Sequence, residues 1–315
     1  MDAERELSPA DHTAMPRRPL KVGLFLPLAE TMRDGATASW ADLAAMARLA
    51  EAAGFDSLWF ADHLLPEGTL GHWECWSMLA AVAATTRRVT LGPLVTCTGY
   101  RNPALLAKIA DTADEISGGR LVLGLGAGWH EPEYRAFGYP FDRRVRRFAE
   151  ALTIIHGLLR EGRIDFAGRY YQARECELRP RGPQGRRLPL MIGATGRRML
   201  ELTARYADLW NSQGGLATGE WEERQAALDA ACAAVGRDPS TLERTAIMQV
   251  DLPGAGPRLA GMGPARVSGS PEELAQVFRG YAARGVAHPL VWLAPNSPAG
   301  VEAFAPVLQL LDQRA

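Results

Sequence analysis

An acid–imidazole pair, Asp62 and His63, ends an apolar run in the stretch WFADHLLPEG. Imidazole changes charge near neutral pH without help, so His63 suits proton transfer, and Asp62 suits an orienting or ligand contact beside it. A second corner follows strand-like residues 120–125. There Gly124, Gly126, Ala127 and Gly128 lead into Trp129, His130 and Glu131. Glycines at such a corner let backbone come close to a bound molecule. A third corner is IGATGRRML, residues 192–200, where Gly193, Ala194, Thr195 and Gly196 stand between a strand end and a helix start. Free N–H groups at a helix N-terminus attract anions, so this segment reads as a phosphate cradle, to which Arg197 or Arg198 adds a charge-assisted contact. The run RRVRR over 143–147 sets Arg143 and Arg147 one helical turn apart, as a solvated face or as a contact for an anionic ligand.

All three corners follow strand-like runs, and the pattern around them says how they meet. Strands are expected over 21–27, 57–62, 88–96, 120–125, 188–193, 207–211, 244–252 and 288–294. Helical patterns lie between them, over 40–53, 76–85, 104–116, 143–159, 197–206, 220–235, 271–284 and 301–313. Eight such units in alternation imply an α/β fold, the (β/α)8 TIM barrel, whose site forms at the C-terminal ends of the strands. Residues 253–270, rich in Gly and Pro, read as a loop on that face or as a linker. Several aromatics, among them Trp40, Trp73, Trp76, Tyr100, Trp129 and Tyr134, stand near strand ends. Some are expected to wall a pocket, whereas Trp76 at helical spacing reads as core.

Composition narrows the field. The chain has 315 residues, 47% of them hydrophobic, which suits one large barrel over 20–315 behind a flexible tail over 1–19. Net charge is −1 and pI about 6.6, so nothing points to nucleic acid. No apolar run approaches a membrane span, and the polar N-terminal stretch lacks the core of a secretory signal, so a cytoplasmic protein is expected. Cys75, Cys97, Cys176 and Cys232 are scattered without C-x-x-C spacing, which argues against disulfides and structural zinc. No metal is expected.

Residues 101–138 carry a resemblance. Asn102, Pro103, Ala107 and Lys108, then Ser117, Gly118, Gly119 and Arg120, then Gly124, Gly126 and Gly128 occur in the order found in the luciferase-like superfamily of flavin- and deazaflavin-dependent oxidoreductases. The resemblance implies a luciferase-like barrel with a β-hairpin inserted before the fifth strand, here over 164–187. It implies coenzyme F420 at the C-terminal mouth, with His63 as base or hydrogen-bond donor near the reactive ring and Asp62 as a cofactor contact. It further implies a cis peptide at Leu94–Val95 behind that ring, with Thr96 and Asn102 facing the cofactor and Cys97 on the same wall. Gly126, Ala127, Gly128 and Trp129 would border the cofactor, and Gly193, Ala194, Thr195, Gly196 and Arg197 would take its phosphate. Two positions depart from the deazaflavin pattern: Glu67 stands where a Trp is usual, and Trp129 where a Glu is usual. The sugar-phosphate and alcohol dehydrogenase pair is therefore not reproduced, and Glu67, His130 and Glu131 are the candidate replacements. The implied reaction is hydride transfer to or from a small organic substrate. The alternatives are an FMN-dependent monooxygenase that uses O2 and a binding barrel without catalysis. The resemblance also implies a homodimer, and a flavin reductase or F420-reducing enzyme as cofactor supplier.

Overall fold

The computed structural model describes residues 18–30, 37–65, 71–212, 219–253 and 265–313. In chain order the elements are β1 (Gly23–Phe25), α1 (Trp40–Ala53), β2 (Ser57–Phe60), α2 (Cys75–Thr85), β3 (Thr90–Pro93), β4 (Thr96–Cys97), α3 (Pro103–Ser117), β5 (Leu123–Gly126), α4 (Glu131–Ala136) and α5 (Arg144–Glu161). There follow β6 (Arg163–Ala167), β7 (Gln172–Glu177), β8 (Leu190–Gly193), α6 (Arg197–Tyr206), β9 (Leu209–Ser212), α7 (Glu220–Ala234), β10 (Glu243–Asp251), β11 (Ala265–Ser268), α8 (Pro271–Ala283), β12 (His288–Ala294) and α9 (Pro298–Asp312). The parallel sheet runs β3-β2-β1-β12-β10-β9-β8-β5-β4. A parallel bridge between Leu91 and Leu121 ties β3 to the chain entering β5 and closes the ring. With β3 and β4 as two halves of one strand, this is the eight-stranded barrel that the alternation implies.

The sequence explains why the ring holds. Leu58 and Phe60 of β2, Leu91 of β3 and Leu123 and Leu125 of β5 are buried against the helices, while Phe25, Trp59, Leu94, Val122, Met191, Leu209 and Leu290 fill the barrel interior. Strands buried on both faces carry no polar alternation. Helix ends are set by local chemistry: Ser39 and Asp42 form a capping box on α1, and Asn102 with Pro103 starts α3, which stops at Gly118. The β6–β7 hairpin is antiparallel and precedes β8, the fifth barrel strand.

Four expectations change. The strand over 88–96 is split, because the Leu94–Val95 peptide is cis and bends the chain between β3 and β4. Residues 131–136, which lie outside the expected helical patterns, form the helix α4. Within 253–270, residues 265–268 add β11 in parallel to β10, and 254–264 lie outside the described residues. Arg18, assigned to the tail, is fastened to the barrel: its side chain is 6% exposed and binds Asp312 at 2.7 Å and the Gly54 carbonyl at 2.8 Å.

Candidate active site

A cavity of about 340 Å3 opens at the C-terminal ends of the strands. Its back wall is the bulge at Leu94 and Val95, and its sides come from β2, β5, β8 and α5. The glycines at the end of β5 and just after it are there for lack of room. A Cβ on Gly126 would stand 2.6 Å from the Val95 side chain, and one on Gly128 would meet the Tyr134 hydroxyl and the Cys97 sulfur. Gly128 also has φ +75°, a conformation that side-chain-bearing residues rarely adopt. The backbone itself thus forms this wall.

His63 lines the cavity at the end of β2. Its Nδ1 lies 3.0 Å from Oε2 of Glu133, a fully buried carboxylate on α4. Glu133 also accepts from Leu64 N–H at 2.6 Å, Leu65 N–H at 2.8 Å and the Tyr100 hydroxyl at 2.7 Å. Burial pushes the Glu133 carboxyl up, but its bonds to His63 and Tyr100 and the Leu65 N–H outweigh that and hold it at about 2. His63 Nε2 has no hydrogen-bond partner among the described residues. Around it stand Trp129 and His130, with ring centroids 5.7 and 6.4 Å from the His63 ring, and His72 at 6.0 Å. Trp129 is half exposed at the rim.

Asp62 is buried beside the cavity, and burial raises its carboxyl above the usual range in spite of the opposing Arg101. Arg101 grips it with both arms, at 2.7 and 2.9 Å, and also reaches Glu74 at 2.7 Å. Asp62 accepts from the Cys97 N–H at 2.9 Å as well, so it anchors the strand past the bulge. Cys97 is no ready nucleophile: burial pushes its thiol up to about 11, with Tyr134 bonded to the sulfur.

At the far side, Gly193, Ala194, Thr195 and Gly196 line the cavity and lead into α6, whose first turn has no side-chain cap. Its free N–H groups suit an anion. Arg144 lines the same cavity, where it binds the Gly128 carbonyl at 2.7 Å and covers the Phe141 ring at 4.2 Å.

Several expected residues stand elsewhere. Asn102 does not line the cavity; its side chain accepts from Ala104 N–H and Leu105 N–H as the cap of α3. Thr96 is buried behind the wall, and its hydroxyl lacks a hydrogen-bond partner among the described residues. Arg197 points to solvent, 95% exposed, with Glu201 at 3.4 Å. Arg147 binds Asp142 and covers Tyr170, so it too is occupied away from the cavity. Glu131 is exposed, and Glu67 lies outside the described residues. Glu133 and Arg101 were missed. Glu131-Pro132 signals a helix start, but nothing in residue type tells which glutamate of that turn is buried.

A family model described as luciferase-like monooxygenase matches residues 20–251. Among curated proteins, a 5,10-methylenetetrahydromethanopterin reductase of Archaeoglobus fulgidus is 35% identical over 161 residues, 51% of this chain and 46% of that protein. An F420-dependent hydroxymycolic acid dehydrogenase of Mycobacterium tuberculosis is 35% identical over 212 residues, 65% of this chain and 57% of that protein. The matches thus span about half the length of those relatives. Among solved structures, an F420-dependent secondary alcohol dehydrogenase in complex with an F420-acetone adduct superposes with TM-score 0.78 at 20% identity, covering 91% of this chain and 98% of that one.

Proposed function

The chain belongs to the luciferase-like monooxygenase family, and from that premise we propose that it is an oxidoreductase that uses coenzyme F420 for hydride transfer to or from a small organic substrate. The observation that carries the reading is His63, lining the cavity with Nδ1 tied to Glu133 and Nε2 left for a ligand. Relatives named F420-dependent support the choice of cofactor over FMN.

The residues present fit such a group. A cavity of about 340 Å3 falls in the range of small-molecule sites. Val95 and the glycine wall would hold a flat ring system, and the uncapped first turn of α6 with Gly193 to Gly196 would hold a phosphate. Bound there, F420 would supply a two-electron hydride donor or acceptor. This chain's part is to bind, shield and move the proton. His63 takes a proton at Nε2 from the substrate heteroatom, or returns one to it, according to direction. Trp129 and His130 border the substrate side. Asp62, clamped by Arg101, fixes the chain past the bulge.

The reading includes a cytoplasmic homodimer supplied by an F420-reducing enzyme. Among the described residues no helix is long and apolar enough to cross a membrane. The deciding experiment is a parallel titration of the purified protein with oxidised F420 and with FMN, followed by fluorescence quenching. Micromolar or tighter binding of F420 with weak FMN is expected. The reverse preference would favour an O2-using monooxygenase, and binding of neither would remove the catalytic reading.

A further inference from the structure

We propose that Glu133 is a positioning residue that keeps the proton of neutral His63 on Nδ1, so that Nε2 offers a lone pair to the ligand cavity. The proposal rests on the reading of His63 as the proton-transfer group. An ionised carboxylate only accepts hydrogen bonds, so the contact of 3.0 Å from Nδ1 to Oε2 requires the hydrogen to sit on Nδ1. The carboxylate cannot drift. Leu64 N–H and Leu65 N–H hold Oε1, and the Tyr100 hydroxyl holds Oε2. These donors come from the chain after β2 and from the turn after β4, while Glu133 itself stands on α4. Three segments that are distant in sequence therefore converge on one ring orientation. Glu133 does not line the cavity, so it acts on the ligand only through the imidazole.

When a hydride passes with its electron pair from the substrate carbon to a two-electron acceptor of the deazaflavin class, the proton of the neighbouring heteroatom passes to Nε2 of His63. The ring becomes an imidazolium with N–H on both nitrogens, its charge facing the Glu133 carboxylate. In the other direction the imidazolium returns the Nε2 proton to the heteroatom as the hydride arrives at carbon. With the opposite tautomer, Nε2 would carry a hydrogen before the reaction and could accept none.

The test is 15N NMR of the full chain labelled at histidine, at alkaline pH and without cofactor, with the His63 signals assigned by their loss in His63→Asn. A protonated Nδ1 and a bare Nε2 are expected. Glu133→Gln keeps an oxygen for Leu64 and Leu65 but turns a donor toward Nδ1, so the proton should move to Nε2. Turnover should then fall about 10²–10⁴-fold, with the cofactor dissociation constant within about threefold of wild type. Glu133→Asp retains an acceptor and should restore the wild-type tautomer and part of the turnover. A bare Nδ1 in the wild type overturns the proposal, as does a folded Glu133→Gln variant with tautomer and turnover intact. If that variant does not fold, the wild-type spectrum decides. Because the tautomer is read without cofactor, a preference for FMN over F420 would leave this proposal standing and remove only the cofactor assignment.

Discussion

At the mouth of the barrel His63 leans on Glu133; on the floor, where β2, β10 and β12 begin, His288 leans on Glu243. The floor group is the more elaborate. His288 Nε2 is 2.8 Å from the Ser57 hydroxyl, and His288 Nδ1 is 3.5 Å from Glu243, which also binds Lys21. Serine, histidine and glutamate touch in the order of a hydrolase triad. Yet Ser57 is fully buried, and the Trp59 indole donates to the same hydroxyl at 2.7 Å, so no ligand can reach the oxygen. The His288 side chain is 4% exposed and both nitrogens are engaged, whereas that of His63 is 26% exposed and, among the described residues, keeps one nitrogen free. A histidine–carboxylate pair is therefore not by itself a site. A free ring edge on a cavity makes the difference, and conserving polar bonds inside a closed barrel floor serves stability instead.

Removing each ring should separate the two roles. His63→Ala is expected to lower turnover about 10²–10⁴-fold while the protein stays folded, because the lost group is the proton acceptor. His288→Ala should leave turnover of the folded protein near wild type and cost about 1–3 kcal/mol of stability, since the Ser57 hydroxyl keeps only the Trp59 indole and Glu243 only Lys21 as side-chain partner. Urea unfolding followed by tryptophan fluorescence, beside turnover at saturating cofactor, checks both. Equal losses of turnover from the two variants would break the comparison.

Acid sharpens it further. Burial raises both glutamates, but bonds to His63 in one case and to His288 and Lys21 in the other hold each at about 2, below the ordinary 4.5. A carboxyl depressed by folding contributes stability that is complete above its unfolded pKa, and the contribution drains as pH falls through the folded one. Both pairs should therefore weaken between about pH 4.5 and 2. Glu133 is fully enclosed and Glu243 partly open, so Glu133→Gln should remove more of the acid dependence of unfolding than Glu243→Gln. Acid titrations of the two variants that superpose on wild type would show that neither pair carries it.

The sequence made much of the mouth legible and little of the floor. His63, Gly126, Gly128 and Gly193 to Gly196 are found at strand ends, because alternating strand and helix patterns tell where a barrel strand stops. The cis bulge at Leu94–Val95 came from resemblance, as no residue type there demands it. Glu133 was hidden because its burial depends on how α4 folds back over β2, a contact 70 residues apart in the chain. Asn102 was misplaced for the opposite reason: a local job, capping α3 ahead of Pro103, uses the side chain before any ligand can. The floor was unreadable since Ser57, Glu243 and His288 lie on three strands whose register only the closed ring fixes.

The same criterion of access separates two arginines that composition cannot tell apart, and here the expected effects are smallest. Arg144 borders the cavity with its guanidinium already held by the Gly128 carbonyl and the Phe141 ring, so it is preorganised toward an anion bound in the cavity that Gly193 to Gly196 also line. Arg144→Ala should weaken cofactor binding by about tenfold, and more at low salt than at high. Arg197 starts α6 and was expected in the cradle, but its side chain is in solvent, 3.4 Å from Glu201. An exposed cation of that kind contributes about 0.2–1 kcal/mol, so Arg197→Ala should shift the dissociation constant no more than about fivefold. Calorimetric titration of both variants at two salt concentrations measures the contrast. If Arg197 proved the stronger of the two, the anion would have to sit outside the first turn of α6, and the assignment of Gly193 to Gly196 as its cradle would fall with it.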